Sequence, residues 1–397
     1  MIYLDHCATT PLDPQVYEAM VPFLTQEYGN PSSKYYGPAI RAREAVEQAR
    51  AQVAHLIHAE PNEIIFTCGA TESNNTIIKG ISDYRKHYEH RGNHIITSEA
   101  EHHATLHTCH FLNGDIYSNS DDTFTLNHVP VKVDRGFEVT FLPVNEYGQV
   151  EPKILEQTIR SDTTIASIIW GNNELGSLND MEALGNISRE HDVFFHADAT
   201  QVFGKLPIDA HHIPVDALSF SAHKLRGPKG IGALYVLTDA FGLMPPFSSF
   251  MHGGEQENGI RGGTLNVPGI VGFGKAAELA EKRLETDLIK EQSLDVEIRN
   301  MLQKIPGVEL LGDPERHIPG IFCFVIKDPF FNNEQFLKRI GSKVAASAGS
   351  ACTAGAPSRV LQAIGRGNQT GQVLRISTGV DSTADDVQEL IGYLLNK

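Results

Sequence analysis

The chain has 397 residues, 41% of them hydrophobic and 21% charged, an ordinary composition for a globular protein of two or three domains. Its 33 basic and 49 acidic side chains leave a formal charge of −16, which excludes a general affinity for nucleic acid or for anionic membranes, though not a local basic patch. No apolar run reaches the ~18 residues of a membrane span, and Met1 to His6 lack a basic patch ahead of an apolar stretch, so a cytoplasmic protein is expected.

A first helix is expected near Pro38, a favoured first-turn residue. Its apolar positions Ala42, Val46, Ala49, Val53 and Leu56 alternate steps of four and three, which is one helical face. Strands are expected at 64–67, 94–97, 138–142, 165–169, 193–196, 217–220 and 233–236. Most are nearly continuous apolar runs, the pattern of strands covered on both faces in a largely parallel sheet. A long helix from about Gly274 to Leu302 bridges into a second domain. A strand at 321–326, a helix at 333–340, a strand at 373–377 and a terminal helix follow. The expected architecture is α/β: a large domain around a mostly parallel seven-stranded sheet, then a smaller α+β domain.

Ligands of open parallel sheets gather at the carboxyl ends of strands, and the distinctive residues fall there. Cys68 to Asn75 follow a strand and open a helix. Gly69 and Ala70 let backbone approach an anion and Thr71 adds a hydroxyl, although the same small residues also make a purely structural turn. Asp198 ends a very apolar strand, where it suits either a helix cap or a functional carboxylate that needs a cationic partner. Lys224 lies between a buried strand and a Gly/Pro-rich turn. A lysine is usually solvated, but here it could be desolvated, lowering its pKa so that the neutral amine forms an imine. Ser221 and His223 beside it are suitable phosphate donors. Phosphate cup, carboxylate and lysine together describe a pyridoxal phosphate site.

Five cysteines, Cys7, Cys68, Cys109, Cys323 and Cys352, are odd in number and widely spaced. The absence of a C-x-x-C pair excludes zinc knuckles and thioredoxin-type redox pairs and fits a reducing compartment. His102-His103 lacks the spacing that puts two ligands on one helix face, so no metal is expected. Cys352 lies in a run of small residues, 345–356, that cannot form a core and reads as a mobile loop carrying an exposed thiol. The other four cysteines read as structural, with Cys68 less certain for its place beside the phosphate cup.

These motifs resemble those of the cysteine desulfurases of the NifS/IscS group, class-V aminotransferases of the fold-type I pyridoxal phosphate enzymes. The resemblance runs from Tyr3-Leu4-Asp5 to about Gly379. It includes Gly69-Ala70-Thr71-Glu72-Ser73, Glu101-His102, Asn172-Asn173-Glu174-Leu175-Gly176, Asp198-Ala199-Thr200-Gln201, Ser221-Ala222-His223-Lys224, Arg261-Gly262-Gly263-Thr264-Leu265 and Gly349-Ser350-Ala351-Cys352-Thr353. It implies a large domain over residues 15–262 and a small one built from 1–14 and 263–397. It implies Lys224 as the imine-forming lysine, Asp198 on the pyridine nitrogen, Gln201 on the phenolic oxygen and His102 stacked on the ring for proton transfer. Ala70, Thr71, Ser221 and His223 match the phosphate cup. Thr264 matches a threonine that reaches the phosphate of the other subunit, which implies a homodimer. Asn173 and Arg375 match the clamp on the substrate carboxylate. Cys352 matches the nucleophile that takes the sulfur of L-cysteine as a persulfide, leaving alanine, and carries it to a protein acceptor.

Three features depart from the housekeeping enzymes. The stretch from Asn113 to Gly136 is longer. Glu255 and Asn258 stand where relatives tend to have Gly and Arg. The sequence ends sooner after Arg375, where those enzymes carry an extension that docks the iron–sulfur scaffold. Iron–sulfur assembly, tRNA thiolation and DNA phosphorothioation therefore all stand as expected destinations of the sulfur. In each, nucleic acid is reached through a partner rather than bound strongly by the chain itself.

Overall fold

The structure is a computed structural model that describes residues 1–115, 125–126, 129–130, 132–349 and 358–395. Its central sheet has seven strands in the order Ile64–Thr67, Gly232–Val236, Ala217–Ser221, Phe194–Asp198, Thr163–Ile169, His94–Ser98 and Glu138–Leu142. Gly232–Val236 runs antiparallel to both neighbours, and every other pair is parallel. All seven expected strands are present. The six apolar ones are buried along their length, whereas Glu138–Leu142 at the edge is partly exposed. Two apolar clusters flank the sheet, one holding Phe66, Phe195 and Phe220, the other Ile65, Ile95 and Leu234.

The helix begun by Pro38 spans Gly37–His55 and buries Ala42, Val46, Ala49 and Val53, as the spacing requires. The long helix spans Val267–Gln303, about 55 Å at 1.5 Å per residue. It starts at Val267 rather than near Gly274 because Asn266 caps it, accepting from Gly269 N, and Pro268 occupies the first turn. Its first half packs Ile270 and Phe273 on the large core; its second half packs Leu294, Ile298 and Leu302 on another. That second core covers a three-stranded antiparallel sheet of Val308–Leu311, Ile321–Ile326 and Val373–Ser377. Ile2–Tyr3 pairs in parallel with Val344–Ala345, which brings the N-terminal segment to this C-terminal body.

Ile298 is fully buried where the long helix meets the second core. Ile298→Ala should cost about 2–5 kcal/mol in denaturant unfolding. A loss below about 1 kcal/mol would mean that this packing does not hold the two bodies together.

Candidate functional site

The carboxyl ends of the sheet strands open onto one cavity of about 230 Å³. Ala70, Thr71, His102, Asn173, Asp198, Gln201, Ser221, His223, Lys224 and Arg375 all line it. Of the residues expected from sequence, only two stand apart. Thr264 is exposed and is not part of this wall. Cys352 lies outside the described residues, as does the 350–356 part of the loop expected around it; so do residues 116–124, 127–128 and 131 of the longer stretch.

Asp198 is the last residue of its strand and is almost wholly buried. Its Oδ2 accepts from Asn74 Nδ2 at 2.8 Å and its Oδ1 from Thr200 N at 3.0 Å. Lys224 is half-buried, and its Nζ donates to the carbonyls of Cys7 and Ala8. Gln201 Nε2 donates to the same Cys7 carbonyl at 3.0 Å, and its Oε1 accepts from Lys205 Nζ at 2.9 Å. The N-terminal segment is therefore a wall of the site.

The residues expected to hold a phosphate meet at a helix start. Ala70–His87 begins after Gly69, whose φ of +150° is a conformation that favours glycine. Ser221 Oγ accepts from Ala70 N at 3.0 Å, fixing that hydroxyl against the helix start. Thr71 remains exposed on the cavity side. His223 Nδ1 lies 3.1 Å from Thr9 Oγ1, and burial together with Lys224, Lys229 and Lys205 pushes its pKa down to about 4. A neutral ring there presents a polar nitrogen without a charge of its own.

His102 is the N-cap of helix His103–Leu112, and its Nδ1 accepts from Ala104 N at 3.2 Å. The proton of the neutral ring is thereby placed on Nε2. Burial holds its pKa below the ordinary value and Lys224 adds to this, while Asp198 opposes. Arg375 is fully buried. Its Nη2 donates to Asp5 Oδ1 and its Nη1 to the carbonyl of Asn173, both at 2.8 Å. Two buried polar atoms belonging to residues of the cavity wall, Thr200 Oγ1 and Arg375 Nε, lack a hydrogen-bond partner among the described residues. A polar ligand would satisfy them. A carboxylate for a ring nitrogen, a lysine, a helix start for a phosphate and a buried guanidinium together fit pyridoxal phosphate and an amino-acid carboxylate.

Cys68 is resolved by its surroundings. It is exposed, unlike the buried Cys7, Cys109 and Cys323, but desolvation and the Glu72 carboxylate push its thiol up to about 11, so it stays protonated at neutral pH. Burial raises the thiols of Cys109 and Cys323 as well.

Sequence reasoning missed Asn74, Lys205 and Asp5. Asn74 and Asp5 stand within or beside recognisable motifs, but their partners lie far along the chain. Glu101 is marked in the sequence only as the neighbour of His102. It is fully buried, its Oε1 accepts from Ser98 Oγ at 2.6 Å and Ile169 N at 2.9 Å, and its Oε2 has no partner among the described residues. Burial raises its pKa to about 8, which places a proton on Oε2 at neutral pH.

The chain matches the class-V aminotransferase family over residues 2–119 and 122–390. It is 40% identical over 402 residues to cysteine desulfurase IscS of Neisseria meningitidis, covering 100% of this chain and 92% of that one. A solved NifS-like protein superposes with a TM-score of 0.86 at 31% identity, covering 100% of this chain and 99% of its own. SspA, solved in complex with cysteine, superposes with a TM-score of 0.77 at 35% identity, covering 95% and 98%.

Glu101 makes a test by pH. An unfolded chain releases this proton in the ordinary carboxyl range, the folded one only near pH 8. Between those values the folded state binds more protons, so stability falls as pH rises. Melting temperatures measured from about pH 5 to pH 8 should fall with a component that Glu101→Gln lacks. Equal slopes in both proteins would mean that Glu101 is ionised in the fold.

Proposed function

The chain belongs to the class-V aminotransferase family, and from that premise we propose how its residues carry out the reaction of a cysteine desulfurase. The enzyme is pyridoxal phosphate-dependent; it converts L-cysteine to L-alanine and leaves the sulfur as a persulfide for an acceptor. Bound in the cavity, the cofactor supplies an electron sink that loosens bonds at the substrate Cα and Cβ. The observation that carries this reading is the convergence of Lys224, Asp198 and Arg375 on one cavity.

Lys224 would hold the cofactor covalently. Asp198, braced by Asn74 and Thr200 N, would keep the ring nitrogen protonated. Gln201 would donate to the phenolic oxygen. The helix start at Ala70 and Thr71, with Ser221 and His223, would hold the phosphate. Arg375 and Asn173 would bind the substrate carboxylate. His102 would stack on the ring and move a proton at Nε2, because Nδ1 is committed to Ala104 N. Sulfur transfer needs a thiolate: Cys352 Sγ attacks the substrate Sγ, the new S–S bond forms and the Cβ–Sγ bond breaks. The electron pair leaves on carbon, and protonation completes alanine. One cysteine and one thiol thus give one alanine and one persulfide, with no outside oxidant.

The same reading takes the enzyme to be a cytoplasmic homodimer in which the partner's cofactor phosphate meets Thr264. The exposure of Thr264 and its absence from the cavity wall support this. No helix of the described residues is long and apolar enough to cross a membrane. We read 15–262 as the larger body and 1–14 with 263–397 as the smaller, which the pairing of Ile2–Tyr3 with Val344–Ala345 supports.

Cys352→Ser should fold, hold the cofactor and change its absorbance on adding cysteine, yet release no alanine at a useful rate, since a hydroxyl stays protonated and attacks sulfur poorly. Lys224→Ala should purify without covalently held cofactor and without turnover. Normal alanine production by either variant contradicts the assigned roles. Sedimentation should find a dimer, and a fully active monomer would remove the shared site.

A further inference from the structure

Of the motif Asn172-Asn173-Glu174, only Asn173 lines the cavity. Asn172 shapes the turn: its Oδ1 accepts from Glu174 N and Leu175 N, and its Nδ2 donates to Ala100 O. Asn173 faces the cavity and receives Arg375 through its carbonyl. Glu174 is buried, yet it makes no ion pair among the described residues, and burial raises its pKa. Its Oε2 accepts from Ser358 Oγ at 2.6 Å. The same oxygen would lie 3.2 Å from a Cβ added at Gly349, whose φ is +104°. Gly349 and Ser358 are the residues on either side of 350–357.

The chain ahead of that segment is tied to the same place. Ser347 N donates to Arg375 O at 3.0 Å, Arg375 N donates to Ser347 O at 2.7 Å, and Ser347 Oγ donates to Gly349 O at 3.0 Å. Behind it, Ser358 Oγ also accepts from Leu361 N at 3.1 Å, so one hydroxyl both caps the helix Arg359–Ala363 and binds Glu174. One flank is therefore fastened to Arg375 itself and the other to Glu174, the chain neighbour of Asn173.

We infer that Glu174 is a positioning residue for sulfur transfer: through Ser358 and against Gly349 it fixes these two residues, which flank the segment containing Cys352 in sequence, relative to the carboxylate clamp of Asn173 and Arg375. This rests on the reading of Cys352 as the sulfur acceptor. Attack on Sγ demands that thiol and substrate be aligned, and a misplacement of about 1 Å can cost ~10²-fold in rate. Glu174 is not among the residues that line the cavity, so its loss should be felt in the transfer step alone.

The test separates that step from the rest of the chemistry. Exchange of the Cα proton of L-alanine with solvent deuterium requires the loaded cofactor site but no thiol. Glu174→Ala and Ser358→Ala, as holoenzymes, should each lower kcat for alanine release from L-cysteine by ~10²-fold, with KM and alanine exchange changed by no more than about twofold. Glu174→Gln keeps an acceptor for Ser358 Oγ and should restore kcat to within about threefold of the parent. The inference is overturned if Ser358→Ala and Glu174→Ala keep the parent kcat, or if they slow exchange and desulfuration equally. Cys352→Ser, run alongside, distinguishes the two layers. Full turnover in that variant sinks the reading beneath; a dead Cys352→Ser beside unimpaired Glu174 and Ser358 variants sinks only the positioning role.

Discussion

A guanidinium that is fully buried must find partners, and the partners of Arg375 organise the site. Asp5 comes from the N-terminal segment and the Asn173 carbonyl from the turn after a central strand, while Arg375 itself sits in the C-terminal sheet. One side chain thus joins three remote parts of the chain. Removing Asp5 would strand a buried charge, an expensive change for a fold of marginal stability. Holding Asp5 in place also holds the next turn of chain: the Cys7 carbonyl that receives Lys224 and Gln201, and the Ala8 carbonyl that receives Lys224. Arg375 and Lys224 are therefore coupled through residues 5–8.

Around this frame the ionisable groups are sorted by burial. His223 and His102 are held neutral, Glu101 and Glu174 are driven toward the neutral acid, and Cys68 is kept protonated. The effect is to keep competing charges away from Lys224, Asp198 and Arg375. His102 adds a directional constraint, since a single backbone N–H decides which ring nitrogen bears the proton.

Much of this was legible in the sequence. The continuous apolar runs at 64–67, 165–169 and 217–220 read as covered strands because both faces are in fact packed, and the residues after them read as ligand-binding because strand ends converge. The helix start at 267 was harder: Asn266 and Pro268 are local signals, but the first apolar turn faces a core built from distant elements. Asn74 and Asp5 were out of reach because a hydrogen bond across the fold leaves no periodicity, whereas Lys205 meets Gln201 only four residues away. Glu174 is visible within its motif, but its service to Ser358 appears only when 174 and 358 are brought together. Single residues at strand ends were thus readable from local pattern, and the residues that brace them were not.

The central claim is that the enzyme moves sulfur from L-cysteine onto its own thiol. The most direct test is mass spectrometry of the holoenzyme after exposure to L-cysteine without reductant, with stoichiometric alanine measured in the same sample. One extra sulfur is expected on the peptide containing Cys352, equal in amount to the first-turnover alanine. Alanine formed with the extra sulfur on Cys68, or on no cysteine of the chain, would contradict the claim.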